Sequence, residues 1–356
     1  EPESLFSVQF AAAYSIALPA RLLGISAETA FISLTFFAAF LTCLAVFHLL
    51  LRITDDPAIA AFGTLFVLVF GTLLAGQGIT REIFRFGYAT TFTPYLRRYV
   101  PALAIPVMYL IFSLVTSAAN RKSEKSLIFN AAAVVVAFNF LLYSYFYVWS
   151  AVFAWIMIFA VSLFLFRREA ISGTNIRYFA AVITGCIVSL IPYFLLVANI
   201  QTYEGVIALE RTHKPIILHQ TVIAGIFNLC LIVAAVYFNR LDIRSTVFPV
   251  IIAFALLPLA VFNQQIITGH SMQPFHYAYY VVNYTILLSF VLLVREVFRR
   301  RLESQTYRNW ITVCAVFVAV WGIAETAGAT YRRHNQNILA NDGRRMASAL
   351  VGGKGA

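Results

Sequence analysis

The sequence predicts an all-α bundle of about ten membrane-crossing helices with no separate soluble domain. Three observations predict it. First, 61% of the 356 residues are hydrophobic and only 12% are charged, with a mean hydropathy of +0.82; a water-facing surface needs more charge than this. Second, apolar runs recur along the whole chain, each near the roughly 20 residues that a helix needs to cross a bilayer. Third, these runs lack the alternating pattern of barrel strands.

The runs lie at roughly 29–51, 57–76, 101–119, 127–144, 146–166, 178–198, 219–238, 246–262, 280–298 and 309–328. Together they make residues 1–330 a single transmembrane domain. Residues 331–356 form a polar, Gly-ended extracytoplasmic tail, expected to be partly flexible. Phe6 to Leu23 is apolar but carries Pro19 and Arg21, so it reads as a partial span or as a helix lying at the interface. The chain opens at Glu1 as though within a longer protein, and a continuation upstream is expected. Cys43, Cys186, Cys230 and Cys314 all fall inside spans and read as small packing residues, with no disulfide framework or metal spacing among them.

The turns divide into two sets. One holds Arg52; Arg121, Lys122 and Lys125; Arg167, Arg168 and Arg177; Arg240 and Arg244; and Arg299, Arg300, Arg301 and Arg308. These turns are short and basic, which is the cytoplasmic signature. Thr54-Asp55-Asp56-Pro57 belongs to this set and reads as helix punctuation, with Asp56 capping the helix that Pro57 starts. The other set comprises 77–100, a tight turn near 143–148, 199–218, 263–279 and the tail. These loops are longer on average and mix aromatic, amide, acidic and basic residues. They are expected to face the bacterial periplasm or its equivalent, and to carry whatever chemistry the protein performs. The net charge of +11 is spread over membrane-flanking turns; it fits topology and anionic lipid rather than nucleic acid.

Three clusters on the outer side stand out. Asn263 to Tyr277 holds Gln264, Gln265, Gln273, His270, His276 and Tyr277 between two apolar spans. Amides offer donors and acceptors that suit sugar hydroxyls. Imidazoles can donate to phosphate or move a proton near neutral pH. Arg81-Glu82-Ile83-Phe84-Arg85 and the later Arg97-Arg98 place arginines where topology disfavours them, which points to an anionic partner such as lipid headgroup or bound phosphate. Glu204 and then Glu210-Arg211-Thr212-His213-Lys214 combine carboxylate, guanidinium, imidazole and ammonium, enough to hold a phosphate while a carboxylate activates a hydroxyl. Each cluster also reads as a solvated, salt-bridged loop. Ser144-Tyr145-Phe146-Tyr147-Val148-Trp149-Ser150 is a tight aromatic turn that can stack on a sugar ring or, by default, join an interfacial belt. Asn139, Asn228 and Asn283 are amides in or near spans, and Asn283 is expected to hydrogen-bond between helices. Glu325, near an outer helix end, is expected close to water. No phosphate-binding loop, dinucleotide fingerprint or nucleophile elbow is present.

Leu22-Leu23-Gly24-Ile25-Ser26, a span ending at Leu49-Leu50-Leu51-Arg52, a short turn and a further apolar span from Ala58 resemble the early membrane core of the GT-C glycosyltransferase superfamily. The segment Gln273 to Tyr277 is similar to late outer loops of bacterial members. The resemblance lies in span order and loop sides rather than in a residue motif. It implies a membrane enzyme that moves a sugar from a polyprenyl-phosphate-linked donor to an acceptor at the outer face. A divalent metal remains open as a cofactor. Family members carry an acidic catalytic residue in their first outer loop. Here Glu1 and Glu3 are the only acids before Glu28, so that acid is expected upstream of Glu1, with Glu82, Glu204, Glu210 and His276 as the candidates within the chain. Arg97, Arg98, Arg211 and His276 would hold phosphate; Gln264, Gln265, Gln273, His270 and Tyr277 would hold sugar or acceptor. The alternative reading is a membrane transporter or lipid flippase.

Overall fold

The computed structural model describes residues 8–78, 93, 96, 99–118, 124–168, 172–198, 212–269, 271, 273–302 and 304–352. Within hydrocarbon the backbone can bond only to itself, so long apolar runs become helices. The elements follow in order: α1 (Phe10–Leu23), α2 (Ala27–Thr54), α3 (Pro57–Leu74), α4 (Tyr99–Ala118), α5 (Glu124–Leu142), α6 (Phe146–Phe166), α7 (Gly173–Ala198), α8 (Gln220–Tyr237), α9 (Phe248–Phe262), the short α10 (Gln265–Thr268) and α11 (Pro274–Tyr277), a π-turn at Ala278–Val282, α12 (Asn283–Leu302) and α13 (Gln305–Gly352). No strand occurs among the described residues. Among the described residues ten helical segments are long and apolar enough to cross a membrane, α9 with α10 making one of them and α11, the π-turn and α12 another. The protein is thus an integral membrane helical bundle.

Local chemistry sets the helix ends. Ser26 caps α2 by accepting from Thr29 N at 3.2 Å. Asp56 Oδ1 accepts from Ala58 N at 2.9 Å and Ile59 N at 3.2 Å, with Pro57 at the first helical position. That is the capping role expected of it. A Pro–Ala pair so placed loses nothing from the missing proline N–H, which is unbonded at this position in any helix.

α4, α6, α9 and α12 form the centre, where Trp155, Phe112 and Phe254 interlock. α2 packs on α3 and α4, α7 on α5, α8 on α9, and α13 on α3. These outer helices turn apolar side chains outward: Phe36, Phe37 and Phe40 on α2, Leu195 on α7, Phe227 and Val233 on α8, and Ile323 on α13 are all exposed. A membrane is the solvent that such faces fit. Cys43, Cys230 and Cys314 lie exposed on such helices and Cys186 is buried; all four are free thiols.

Contacts between turns sort them onto two faces. Arg295 donates to Thr54 O at 2.7 Å and pairs with Glu296. Arg52, Ser117 and Thr246 line one small cavity of about 50 Å³. These residues mark a basic face. At the other end, which we term the loop face, the turn at 143–145 meets both α1 and α11, residues 212–216 meet 263–269, and Gly78 meets Glu325. The segregation is the one the charge pattern predicts.

Two terminal segments refine the sequence reading. Ala11 N donates to Tyr143 O at 3.0 Å, which fixes the start of α1 to the loop face. Its end passes through Gly24 into the start of α2, on that same face. At 14 residues it is shorter than a span, so α1 lies along the loop face. α13 continues as helix from the tenth span through Tyr331 to Gly352.

Asn283 departs from expectation. Its side chain is 0% exposed, yet neither amide atom finds a hydrogen-bond partner among the described residues. A buried amide without partners is destabilising by about 1–3 kcal/mol. Asn283→Leu should therefore raise the thermal stability of the purified protein, whereas a drop in melting temperature would show that the amide has a bonded partner. Asp56→Ala should have the opposite sign, costing about 1 kcal/mol through loss of the cap.

Candidate functional site

The loop face gathers its polar groups around the interrupted α9–α12 connection. α9 ends at Phe262, α10 makes one turn, and Gly269 then takes φ 72°. Pro274 starts α11, which runs through the π-turn into α12. π-turns insert an extra residue per turn and so rotate the side chains before them. This rotation re-aims Gln273, His276 and Tyr277 relative to the deeper part of α12.

One group of side chains holds the connection in place. Asn263 Oδ1 accepts from Ile216 N at 2.8 Å, and its Nδ2 donates to Leu259 O at 2.9 Å. Gln265 is 1% exposed and donates through Nε2 to Lys214 O at 3.0 Å. Thr212 N donates to Gly269 O at 3.0 Å, and His213 Nδ1 lies 3.1 Å from Ile266 O. These bonds zip residues 212–216 onto 263–269. Gln264 is half-buried, and its Oε1 accepts from Thr268 Oγ1 at 2.8 Å. Of the amides that the sequence offered to a sugar, Gln265 is thus engaged with backbone and Gln264 with its own turn.

A second group is open. Tyr147 and Tyr145 rise from the start of α6 and its N-cap, and face α11. Tyr147 hydroxyl donates to Gln273 Oε1 at 3.2 Å. Tyr145 hydroxyl lies 3.4 Å from His276 Nδ1. The His276 ring sits edge-on to Tyr147, with centroids 4.5 Å apart, and to Phe275 at 4.4 Å. Tyr280 closes the group beneath His276 and Tyr145. Gln273 and Phe275 are exposed, while His276, Tyr145 and Tyr147 are half-buried. Tyr277 is buried, its hydroxyl 3.0 Å from Ser150 Oγ, and therefore supports the cluster from below. Sequence reasoning marked the 143–148 turn and the 273–277 segment separately. Their meeting across about 130 residues of chain is information that only the packing of α6 against α11 supplies.

Glu325 also differs from the expectation of a carboxylate close to water. It is 3% exposed, and its carboxylate occupies the space that a Cβ on Gly78 would need. Gly78 has φ 97°, a conformation that favours glycine. The carboxylate therefore packs against the point where the 77–98 loop leaves α3. The other acidic and basic site residues expected from sequence, Glu82, Arg97, Arg98, Glu204, Glu210 and Arg211, lie outside the described residues, as does His270. No group of three or more His, Cys, Asp or Glu side chains placed to hold a metal ion occurs among the described residues.

His219 connects the zipped segment to α8. Its Nδ1 accepts from Thr221 N at 3.2 Å, capping the helix, and its ring packs on Phe262 with centroids 4.7 Å apart. Burial lowers its pKa below the ordinary 6.5. An imidazole that must accept at Nδ1 is neutral, and protonation removes the cap.

Compared with protein-family models, with curated proteins and with solved structures, the chain matches none.

Two outcomes follow from this geometry. Because the folded protein binds the His219 proton less tightly than the unfolded chain, the associated stability is present above about pH 6.5 and is lost as pH falls from there through the lower folded pKa. Melting curves from about pH 8 to about pH 5 should show this loss, and His219→Asn, which keeps a capping oxygen, should flatten that part of the profile. Gly78→Ala should displace Glu325 and lower stability by more than about 1 kcal/mol, the ordinary scale for a positive-φ glycine; a neutral effect in the same assay would place the carboxylate elsewhere.

Proposed function

We propose that this protein is an integral-membrane glycosyltransferase that moves a sugar from a polyprenyl-phosphate-linked donor to an acceptor hydroxyl at the loop face, and that this face lies outside the cytoplasm of a bacterial inner membrane. The observation that carries the reading is the open cluster of Tyr145, Tyr147, Gln273, Phe275 and His276. Aromatic faces take the apolar faces of sugar rings, while an amide and an imidazole reach the hydroxyls at their edges. Supporting it, the cluster lies at the loop-face end of the bundle, the level at which a lipid-borne donor would present its head.

In such a transfer the acceptor oxygen bonds to the anomeric carbon as the bond from that carbon to the lipid phosphate oxygen breaks. The acceptor proton goes to a base, and the departing phosphate needs positive charge or donors. Gln273 and Tyr147 would orient the sugar, and His276 would donate to the phosphate or carry the proton. Arg97, Arg98 and Arg211 remain the cations proposed for phosphate. Glu82, Glu204 and Glu210 remain the carboxylates proposed as base.

A transporter or flippase would be expected to place broken helices and charges near the bilayer midplane. The described interruption, at 263–282, sits instead at the loop end of α9, and the Arg295–Glu296 pair sits at the basic end. This weighs toward surface chemistry.

The test is transfer of labelled sugar from lipid-linked donors by the full-length protein in vesicles. Wild type should transfer, and Gln273→Ala and His276→Ala should each slow transfer by about 10²-fold or more if they orient substrate or move a proton. Tyr147→Phe, which keeps the ring, should retain more activity than Tyr147→Ala. No transfer from any lipid-linked donor, together with unchanged surface glycans in cells carrying the two alanine variants, would refute the proposal.

A further inference from the structure

A lateral groove of about 910 Å³ opens between α2, α3 and α13. Its described walls are Cys43 of α2, Leu65, Leu68 and Val69 of α3, and one face of α13 from Ala319 to His334, with Thr93 at its rim. α13 packs on α3 but makes no comparable contact with α2, so the gap between the two outer helices is left as a channel in the side of the bundle.

Its polarity changes along its length. The α13 wall runs Ala319, Gly322, Ile323, Thr326, Ala327, Thr330, Tyr331, His334. The deep part is apolar; hydroxyls come next, and an aromatic and an imidazole stand at the mouth. From Ala319 to Thr330 the helical rise covers about 16 Å, and from Thr330 to His334 about 6 Å more. One leaflet of hydrocarbon is about 15 Å thick, half of a core of about 30 Å. The stretch from Ala319 to Thr330, apolar but for the hydroxyls of Thr326 and Thr330, is therefore about one leaflet deep, and Tyr331 and His334 fall at headgroup level. The flanks, Phe36, Phe40 and Leu44 on α2 and Val316 and Val320 on α13, are exposed apolar side chains, so hydrocarbon surrounds the opening. Tyr331 and His334 are exposed at the lip, and the sequence between them is Arg332-Arg333.

We propose that the groove is a binding site for a single phospholipid of the loop-face leaflet, one acyl chain lying between α2 and α13 and the phosphate meeting His334 and Tyr331. The depth favours a phospholipid over a much longer isoprenoid chain, and the polar lip favours an amphiphile over a second helix. The site does not depend on the glycosyl-transfer reading, because its walls share no residue with the aromatic cluster.

A photoreactive benzophenone side chain at position 323, where Ile323 is 70% exposed on the groove wall, tests this in the full-length protein within native membranes. The control position is 227, where Phe227 is 63% exposed on the distant α8. Mass spectrometry of the adducts should find phospholipid at 323, enriched about tenfold over 227, the factor that a modest preference of one site over bulk lipid produces. Ala327→Trp, which fills the groove from an exposed position, should abolish that enrichment while leaving the adduct at 227 and the folded yield unchanged. His334→Ala should weaken it. Equal phospholipid yields at the two positions, or enrichment that survives Ala327→Trp, would overturn the proposal. So would an adduct at 323 to a polyprenyl lipid, to residues 79–92 of the same chain, or to a second copy.

Discussion

A peptide group in hydrocarbon has no water to bond, and every other feature of this bundle is arranged around that constraint. It forces ten runs of sequence into helix. It also restricts irregular backbone to places where another part of the protein can satisfy it. The one long interruption described, from Asn263 to Val282, obeys this rule closely. Gly269 O accepts from Thr212 N, the described short turns bond within themselves, and the amides of Asn263 and Gln265 satisfy backbone groups of Lys214, Ile216 and Leu259. The amides are present because this segment has left the helix, and a helix-breaking glycine and proline permit the departure.

That accounting changes how a polar loop in a membrane protein should be read. An amide-rich loop resembles a ligand site, since ligands and loose backbone want the same donors and acceptors. Asn263 and Gln265 serve the backbone; the side-chain amide of Gln273 meets the Tyr147 hydroxyl and is exposed. Burial separates the two roles, and burial depends on which helix passes behind. The aromatic cluster is similar. Two local segments, each aromatic for reasons an interfacial belt would explain, form one cluster only because α6 and α11 are neighbours.

The architecture was legible because its signals are local and additive. The spans, the Asp56 cap and the separation of the described basic turns from the described polar loops each follow from a few consecutive residues. The extent of α13 was less so: Tyr331 onward is polar, and polarity alone does not distinguish tail from helix. The site was legible as a set of segments but not as a constellation. Glu325 illustrates the limit. Its position near a helix end suggested water, whereas its surroundings are set by Gly78, some 250 residues away, whose missing side chain makes the space. Asn283 illustrates the converse, since an amide in a span suggested a partner and packing supplied none.

Gly78 and Glu325 also tie the two ends of the loop face together. α3 and α13 pack side by side, and the carboxylate of Glu325 on α13 fits against Gly78, four residues past the end of α3. The 77–98 loop starts from that point, and the groove beside it is walled by the same two helices. A shift of α13 relative to α3 would therefore move the loop's root and change the groove's width together. The width of the groove and the position of Gly78 both depend on one helix pair. A lipid bound between α2 and α13 would act on Gly78 only to the extent that it binds one spacing of the helices better than another.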